Sequence, residues 1–375
     1  MKKSEKIYVT QPHLPPLEEY IPYLEKIWAA KNLTNGGPMH QELEKRLADY
    51  LDVPHIALCA NGTVALEIAL GVLNLQGEVI TSPFTFVATA HAIRRAGLTP
   101  VFADIDPNTG NLDPIDVERK IGPSTVAILP VHCYGHSCDV AGFKTLADRH
   151  NLKLIYDAAH AFGVRRGTAG LLSYGDFATL SFHATKVFNT FEGGAIICQS
   201  AEMKARVDEF KNFGILSSGD IEATGTNGKM SEVNAAFGLL QLDHIDAAIR
   251  ARKIAERQYR QQLTNVKGIR FLATEFSESG NSAYMPIVVE KQFSLSRDEL
   301  FLKLQEENIY TRRYFYPLVS NMTAYSTEKL SNDLANANEL AESVLCLPIY
   351  ADLSNENIQM ICSTIRDLGG RHESE

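Results

Sequence analysis

The sequence predicts an α/β protein with a large, mostly parallel seven-stranded sheet domain and a smaller α+β domain at the C-terminal end. Three observations favour this fold class. Runs rich in Val, Ile and Leu alternate with helical patterns up to about residue 197, as in parallel sheets that are buried on both faces. The pattern changes after about residue 262. The length of 375 residues, with 45% apolar and 22% charged residues, is typical of a globular chain with more than one small core.

The predicted elements of the large domain follow in chain order. Residues 16–31 carry apolar side chains at helical spacing, so an amphipathic helix opens the fold, and a turn at 34–38 ends it. The seven predicted strands are 55–59, 78–81, 100–103, 126–131, 153–156, 177–182 and 195–198. The helices predicted between several of them are 63–73, 86–96 and 143–149.

The C-terminal part has a different pattern. A polar, glycine-rich stretch at 214–228 lacks periodicity and is predicted to be a functional loop, and helical patterns follow over 231–262. The remaining predicted elements are strands 284–289 and 309–315 and helices 297–306, 333–344 and 355–368. We therefore expect a large domain over residues 1–250 and a small domain over residues 251–375.

Charge and cysteine content exclude several classes of partner. The 36 Lys and Arg against 45 Asp and Glu give a net charge of −9, so no basic field for nucleic acid or an anionic membrane is expected. The six cysteines are scattered without a C-x-x-C pair, which indicates buried thiols in a reducing compartment. An apolar leader and a bilayer-length apolar run are both absent, so the sequence predicts a cytoplasmic protein without a membrane partner.

Several common catalytic motifs are absent from the sequence. It contains no G-x-G-x-x-G, G-x-x-x-x-G-K-[ST], H-E-x-x-H or G-x-S-x-G. The eleven histidines and six cysteines do not have metal-ligand spacing, so no metal site is predicted. What remains is a set of polar and aromatic segments that each follow a predicted strand.

Three of these segments carry polar candidates. Gly62 and Thr63 open a helix directly after a strand, where free N–H groups and the helix dipole favour a phosphate, although an ordinary helix cap has the same pattern. Asp157 follows a very apolar strand and is either the partner of a buried cation or a turn residue. Lys186 lies between a strand and an apolar, glycine-closed turn, where burial lowers the pKa of a lysine and makes it a nucleophile; the alternative is a solvated surface lysine.

The fourth segment is aromatic. Phe84 is the better candidate for core packing, whereas Phe86 could lie flat on a ring-shaped cofactor. Ligands of α/β sheets bind in the crevice beyond the carboxyl ends of the strands. A phosphate cradle, a carboxylate, an aromatic ring and an amine at that position together fit pyridoxal 5′-phosphate, whose aldehyde would condense with Lys186 and whose ring nitrogen would pair with Asp157.

These segments resemble the DegT/DnrJ/EryC1/StrS family of nucleotide-sugar aminotransferases, and the resemblance extends over nearly the whole chain. The segments that carry it are LTNGGP (33–38), NGTVAL (61–66), PFTFVA (83–88), DAAH (157–160), SFHATK (181–186) and GTNGKMSE (225–232). The resemblance implies the fold type I, aspartate-aminotransferase-like architecture and pyridoxal phosphate as the cofactor. Over 11–19, 181–194 and 312–318 the sequence is similar to the family's enzymes that make dTDP-4-amino-4,6-dideoxyglucose.

The resemblance also implies roles for individual residues. Lys186 would form the Schiff base, Asp157 would hold the ring nitrogen and His160 would lie near the ring hydroxyl. The remaining implied cofactor contacts are Gly62 and Thr63 with Ser181 at the phosphate, and Phe86 on the ring. Asn227 would enter the site of a second subunit, which implies a homodimer with shared active sites. Lys229 departs from the family, because many members carry Arg there.

The implied reaction moves an amino group from L-glutamate to C4 of dTDP-4-keto-6-deoxyglucose, for a surface polysaccharide such as O-antigen or another glycan. Arg312 and Tyr316 are the candidate contacts to the dTDP-sugar, although arginines at such positions are commonly solvated. Two alternatives stay open. One is transfer to C3 of a 3-keto-6-deoxy nucleotide sugar, which residue chemistry does not separate from C4. The other is a pyridoxal phosphate-binding regulator without turnover, against which the intact Lys186–Asp157 pair argues, as does the lack of a basic DNA-binding unit.

Overall fold

The computed structural model describes residues 6–221, 223–272, 279–325 and 334–370. The helices in these ranges are α1 (Leu17–Ala30), α2 (Pro38–Leu51), α3 (Gly62–Leu73), α4 (Val87–Arg95), α5 (Pro114–Lys120), α6 (Val140–His150), α7 (Ala201–Phe210), α8 (Glu232–Leu263), α9 (Arg297–Glu306), α10 (Ala335–Ser343) and α11 (Asn355–Gly369). The strands are β1 (Ile7–Tyr8), β2 (His55–Cys59), β3 (Glu78–Thr81), β4 (Thr99–Phe102), β5 (Thr125–Leu129), β6 (Lys153–Asp157), β7 (Arg165–Arg166), β8 (Ala169–Gly170), β9 (Phe177–Ser181), β10 (Gly194–Cys198), β11 (Ile269–Phe271), β12 (Met285–Val289), β13 (Ile309–Tyr310) and β14 (Val344–Leu347).

The large sheet has seven strands in the order β2-β10-β9-β6-β5-β3-β4. Its neighbours are parallel except at β10, which runs antiparallel to both β2 and β9. The predicted seven-stranded, mostly parallel sheet is therefore confirmed. Strand β5 ends at Leu129 instead of residue 131, because Pro130 has no N–H for the ladder and Val131 forms only an isolated bridge to Asp157.

Helices cover both faces of this sheet. In β2, Ile56 and Leu58 point into a core that includes side chains of α2, α6 and α8. Ala57 and Cys59 point to the opposite face, into a core with side chains of α3, α4 and α7. This burial of alternate residues on both faces explains the continuous apolar runs of the strands. Both faces are occupied by helices, so the loops at the carboxyl ends of the strands are left to bind ligands.

The C-terminal part forms a smaller sheet of antiparallel strands in the order β11-β12-β14. Its core contains apolar side chains of α9 and α11 together with Tyr259 and Leu263 of α8. Helix α8 also sends Ile245 into the core of the large sheet. The boundary predicted between residues 250 and 251 lies inside this helix, and the division into two domains stays a prediction.

One secondary-structure prediction in the C-terminal part is wrong, and another is confirmed apart from its last residue. The predicted strand 309–315 is only Ile309–Tyr310. Arg312 then forms an isolated antiparallel bridge with Cys346, and a turn closed by the Tyr316 N–H and the Arg313 carbonyl ends the extended segment. The predicted helix 333–344 begins outside the described residues, and its described part ends at Ser343. Val344 instead starts β14, since a short apolar run after a helix cannot be separated from the helix by periodicity.

Two of the segments that carry the family resemblance support the fold away from the strand ends. The Glu232 carboxylate accepts hydrogen bonds from the N–H groups of Met39 (2.8 Å) and His40 (3.0 Å), at the start of α2. A Cβ at Gly37 would lie 2.6 Å from Glu232 Cδ, so the carboxylate reaches α2 only past a glycine. A carboxylate at this position satisfies otherwise unpaired N–H groups and the helix dipole.

Candidate active site

Lys186 lies on the loop that follows β9. Its Nζ donates a hydrogen bond to Tyr284 Oη at 3.2 Å. Burial lowers the pKa of Lys186 to about 8, although the nearby Asp157 and Tyr314 act in the opposite direction. The unprotonated amine is therefore populated near neutral pH, as the sequence predicts for a nucleophilic lysine.

Asp157 ends β6 and is buried, with 6% of its surface exposed. Its Oδ1 accepts the Ala159 N–H (3.1 Å), and its Oδ2 accepts the Thr89 hydroxyl (2.8 Å). These hydrogen bonds and the Lys186 charge lower its pKa, but burial outweighs them and the pKa is raised. Within the described residues no Lys, Arg or His nitrogen lies within 4 Å of the carboxylate. A buried carboxylate without an ion partner fits the cationic ring nitrogen of pyridoxal phosphate.

His160 shares a small cavity with Lys186 and Tyr284. Its Nδ1 accepts the Tyr134 N–H at 3.2 Å, which assigns the ring proton to Nε2. Burial lowers the pKa of His160 well below its usual value, and the Lys186 charge acts in the same direction. Tyr134 adopts the left-handed conformation (φ 57°), and at Gly135 a Cβ would lie 2.7 Å from the His160 carbonyl oxygen. The strained turn thus presents a neutral imidazole that donates from Nε2, which suits a ring hydroxyl.

The predicted phosphate contacts come together where α3 meets the end of β9. A Cβ at Gly62 would lie 2.7 Å from Ser181 Cβ, so the helix start approaches the strand only because this residue is glycine. The Asn61 side chain accepts the Val64 N–H (2.9 Å), whereas the N–H groups of Gly62 and Thr63 have no partner within the helix. This cradle fits the phosphate group.

The two phenylalanines after β3 differ as predicted. Phe84 is completely buried, whereas Phe86 is 58% exposed. Phe86 precedes α4 and its carbonyl accepts the N–H of Thr89, the residue whose hydroxyl binds Asp157. The exposed ring thus lies one helical turn from the carboxylate contact, a position that fits stacking on the cofactor.

Asn227 lies on an exposed ribbon. It forms an antiparallel bridge with Asn212, whose side chain accepts a hydrogen bond from Lys229 Nζ at 2.6 Å. The Gly228 carbonyl accepts the Ala60 N–H (2.7 Å) and ties the ribbon to the strand end before the phosphate cradle. Within the described residues, Asn227 has no side-chain hydrogen bond to Lys186, Asp157 or His160 of its own chain.

The two predicted substrate residues, Arg312 and Tyr316, have different neighbours in the structure. The Arg312 guanidinium lies 5.7 Å from the centre of the Tyr314 ring, and that ring packs edge-on against Tyr284 at 5.8 Å. Arg312 is exposed and is thus linked to Lys186 through two aromatic rings. The Tyr316 ring instead packs against the Arg313 guanidinium, 5.2 Å away.

Sequence reasoning missed four residues of the site. They are Thr89, Tyr134, Asn281 and Tyr284. Thr89 could have been found, because on the predicted helix 86–96 it lies one turn beyond Phe86 and faces the same strand ends. The other three carry no motif, since they reach the site through contacts with remote parts of the chain.

The described part of the chain contains no group of three His, Cys, Asp or Glu side chains that could hold a metal ion. No helix in the same ranges is long and apolar enough to cross a membrane.

Comparison with known proteins agrees with this site. The chain is 54% identical over 362 residues to a dTDP-4-amino-4,6-dideoxy-D-glucose transaminase of Shigella dysenteriae, covering 96% of this chain and 99% of that protein. A transaminase of the same name from Escherichia coli is 49% identical, covering 95% of this chain and 96% of that protein. The crystal structure of DesI in the presence of its TDP-sugar product superposes with a TM-score of 0.93 at 34% identity, covering 99% of this chain and 96% of the DesI chain. A family model matches residues 17–366, so the chain belongs to the DegT/DnrJ/EryC1/StrS aminotransferase family and uses pyridoxal 5′-phosphate.

Proposed function

We propose that this aminotransferase transfers the amino group of L-glutamate to C4 of dTDP-4-keto-6-deoxyglucose, giving dTDP-4-amino-4,6-dideoxyglucose. The site supports the reaction type, because an amine with a lowered pKa, Lys186, shares a crevice with a buried carboxylate that lacks an ion partner, Asp157. The sugar is supported by the 54% identity to a transaminase named for this product.

Pyridoxal phosphate, when bound, supplies an aldehyde that condenses with amines and a ring that takes up electrons from the adjoining carbon. Asp157 would hold a positive charge at the ring nitrogen, and the N–H groups of Gly62 and Thr63 with the Ser181 hydroxyl would hold the phosphate. Phe86 would cover one face of the ring, and His160 would donate from Nε2 to the ring hydroxyl. These contacts would fix the cofactor in one orientation relative to Lys186.

Lys186 has two tasks in this proposal. Its unprotonated amine would hold the cofactor through the aldehyde that the cofactor supplies. When Nζ is free, it would serve as the base that moves a proton at the substrate carbon, which requires the amine to be neutral. The pKa of about 8 suits both tasks, since either charge state is reached near neutral pH.

The sugar assignment is tested with a panel of nucleotide sugars. The holoenzyme is incubated with L-glutamate and 3-keto or 4-keto 6-deoxy sugars carrying dTDP, GDP or UDP, and products are identified by mass spectrometry and NMR. We expect an amine at C4 of the dTDP-glucose series. An amine at C3 would reassign the enzyme to the 3-keto substrates, and no product from any sugar would favour the regulatory alternative.

We further propose that the enzyme is a homodimer in which Asn227 completes the partner's site. Two observations support this arrangement: Asn227 is exposed, and within the described residues its side chain has no hydrogen bond to Lys186 of its own chain. Co-expression of Lys186→Ala and Asn227→Ala chains should restore activity, because each mixed dimer has one site with both residues intact. Random pairing predicts recovery of about one quarter of wild-type activity, measured on the purified mixture.

The single variants expressed alone are the controls, and each should remain well below the co-expressed sample. If Asn227 served its own chain, every site of the mixed dimer would lack one of the two residues. Co-expression would then give no gain over the better single variant.

Two further parts of the proposal concern the cell. All six cysteines are buried free thiols, which supports action in the reducing cytoplasm. We propose that the amino sugar is passed to a glycosyl-transfer reaction of surface polysaccharide synthesis, such as that of O-antigen, because the nucleotide diphosphate remains as a leaving group on the product.

A further inference from the structure

Tyr284 is the centre of a cluster of rings around Lys186. Its hydroxyl lies 3.2 Å from Lys186 Nζ and is the sole hydrogen-bond partner of that nitrogen within the described residues. Its ring packs edge-on against His160 (4.7 Å between centres) and Tyr314 (5.8 Å), and is tilted against Tyr134 (5.6 Å). Tyr284 thus contacts the Lys186 amine through its hydroxyl and the neighbouring rings of the site through its own ring.

The position of Tyr284 does not depend on Lys186. Asn281 donates hydrogen bonds to the carbonyls of His160 (2.9 Å) and Phe162 (3.0 Å), which fixes the segment before Tyr284 to the large sheet's loops. Buried Arg252 donates to the carbonyl of the adjoining Ala283 at 3.5 Å. The backbone just before Tyr284 is therefore held by two sets of hydrogen bonds that do not involve Lys186.

A tyrosine hydroxyl suits a lysine that changes its charge state. It accepts a hydrogen bond from the ammonium and donates one to the neutral amine, whereas a carboxylate or a carbonyl can only accept. Burial raises the pKa of Tyr284, so the hydroxyl keeps its proton over the working pH range. Asp157 already accepts two hydrogen bonds and His160 Nδ1 accepts one, and neither is bonded to Lys186. The Tyr284 hydroxyl is the group that can both accept from this amine and donate to it.

We propose that Tyr284 is a positioning residue, which binds the free Lys186 amine through its hydroxyl and aims Nζ at the atoms between which the proton moves. This inference deepens the proposed function and rests on Lys186 being the reactive amine. The hydroxyl acts in both charge states, so its loss should change both the affinity of Nζ for its proton and the rate of proton transfer.

The test is Tyr284→Phe, which removes the hydroxyl and keeps the ring contacts. In the cofactor-free protein, Lys186 labelling by trinitrobenzenesulfonate is followed against pH by peptide mass spectrometry. We expect the midpoint to fall by about one pH unit, because the charge-assisted hydrogen bond that the ammonium loses is stronger than the bond that the neutral amine loses. In the holoenzyme, kcat should fall about tenfold or more while KM for both substrates changes less than about twofold.

The other ionisable groups around Lys186 and Tyr284 are the same in the wild type and in Tyr284→Phe, so they do not account for a difference in the midpoint. They are Asp157, His160, Tyr134, Tyr314, Cys133, Cys346 and Arg252.

Tyr259→Phe is the matched control. It removes another buried hydroxyl, which donates to the Pro348 carbonyl (2.9 Å) in the core of the small sheet, and should leave the midpoint and kcat unchanged. The proposal requires both changes in Tyr284→Phe, so an unshifted midpoint or a kcat within about twofold of wild type overturns it. Borohydride trapping of pyridoxal phosphate in the wild type tests the basis separately. Absence of the adduct on Lys186 refutes the proposed function, whereas an adduct with an unshifted midpoint refutes only the role of Tyr284.

Discussion

Replacing Lys186 with alanine should abolish turnover and leave the fold intact. The residue lies on a loop and makes one side-chain hydrogen bond, so its loss removes little packing. In the proposed mechanism Lys186 supplies both the amine for the cofactor aldehyde and the base that moves the proton, and among the described residues no second lysine lines its cavity. We expect kcat to fall by about 10⁴-fold or more, measured as product formed from L-glutamate and the keto-sugar.

Two further variants separate charge from nucleophilicity. Lys186→Arg keeps a cation at the site, but a guanidinium stays protonated and cannot condense with an aldehyde, so the loss should be as large. Lys144→Ala removes an exposed lysine that pairs with Asp148 on α6 and should have wild-type kcat. Substantial steady-state turnover in Lys186→Ala, with the borohydride-trapped adduct on another lysine, would contradict the assignment.

The large sheet was predictable because its strands are buried under helices on both faces. Helices cover both faces, so the strands read as apolar runs separated by polar turns, and the predicted and observed strand bounds agree within about two residues. The small sheet was less predictable. Strand β14 follows α10 without an intervening turn, and the two-residue strand β13 is formed through pairing with β1, which lies about 300 residues earlier.

In the site, too, the residues next to predicted strands could be predicted, whereas those brought in from distant parts of the chain could not. Asp157, Lys186 and the Gly62 turn each lie at or just after the end of a strand of one sheet, so their meeting at its carboxyl edge could be predicted from their positions after predicted strands. Tyr284 could not be predicted, because it is 98 residues from Lys186 and enters from the segment before β12. The tautomer of His160 is also invisible in sequence, since it depends on the left-handed conformation of Tyr134.

The electrostatics of Asp157 and Lys186 explain why the site is suited to a cofactor with a positively charged ring nitrogen. Burial raises the pKa of the carboxyl and lowers that of the amine, so both groups are pushed towards their neutral forms when no ligand is present. Each charge favours ionisation of the other, but the amine's hydrogen bond is to Tyr284 and not to the carboxylate. A cation beside Asp157 would therefore hold the carboxylate ionised while leaving Lys186 free to lose its proton.

Asp157→Asn should keep the fold and most of the hydrogen-bond geometry but remove this charge. The asparagine oxygen can still accept one of the hydrogen bonds from Ala159 and Thr89, whereas a neutral amide no longer favours a proton on the ring nitrogen. We expect kcat to fall by about 10²–10³-fold, the usual cost of removing one preorganised electrostatic group from an active site. Weaker retention of the cofactor should accompany it, measured by absorbance during dialysis.

Asp176→Asn is the matched control because this carboxylate, which precedes β9, contacts the amino-terminal end of β6, opposite to Asp157. It accepts the Leu154 N–H (2.9 Å) and pairs with Lys153 (3.1 Å), so its replacement alters β6 without changing the charge at the site. Wild-type kcat in this control, together with the loss in Asp157→Asn, would locate the effect at the carboxyl end of β6. Near-normal turnover in Asp157→Asn would instead mean that the ring nitrogen works without a proton, and the buried carboxylate would then serve only to fix Thr89 and the start of the loop.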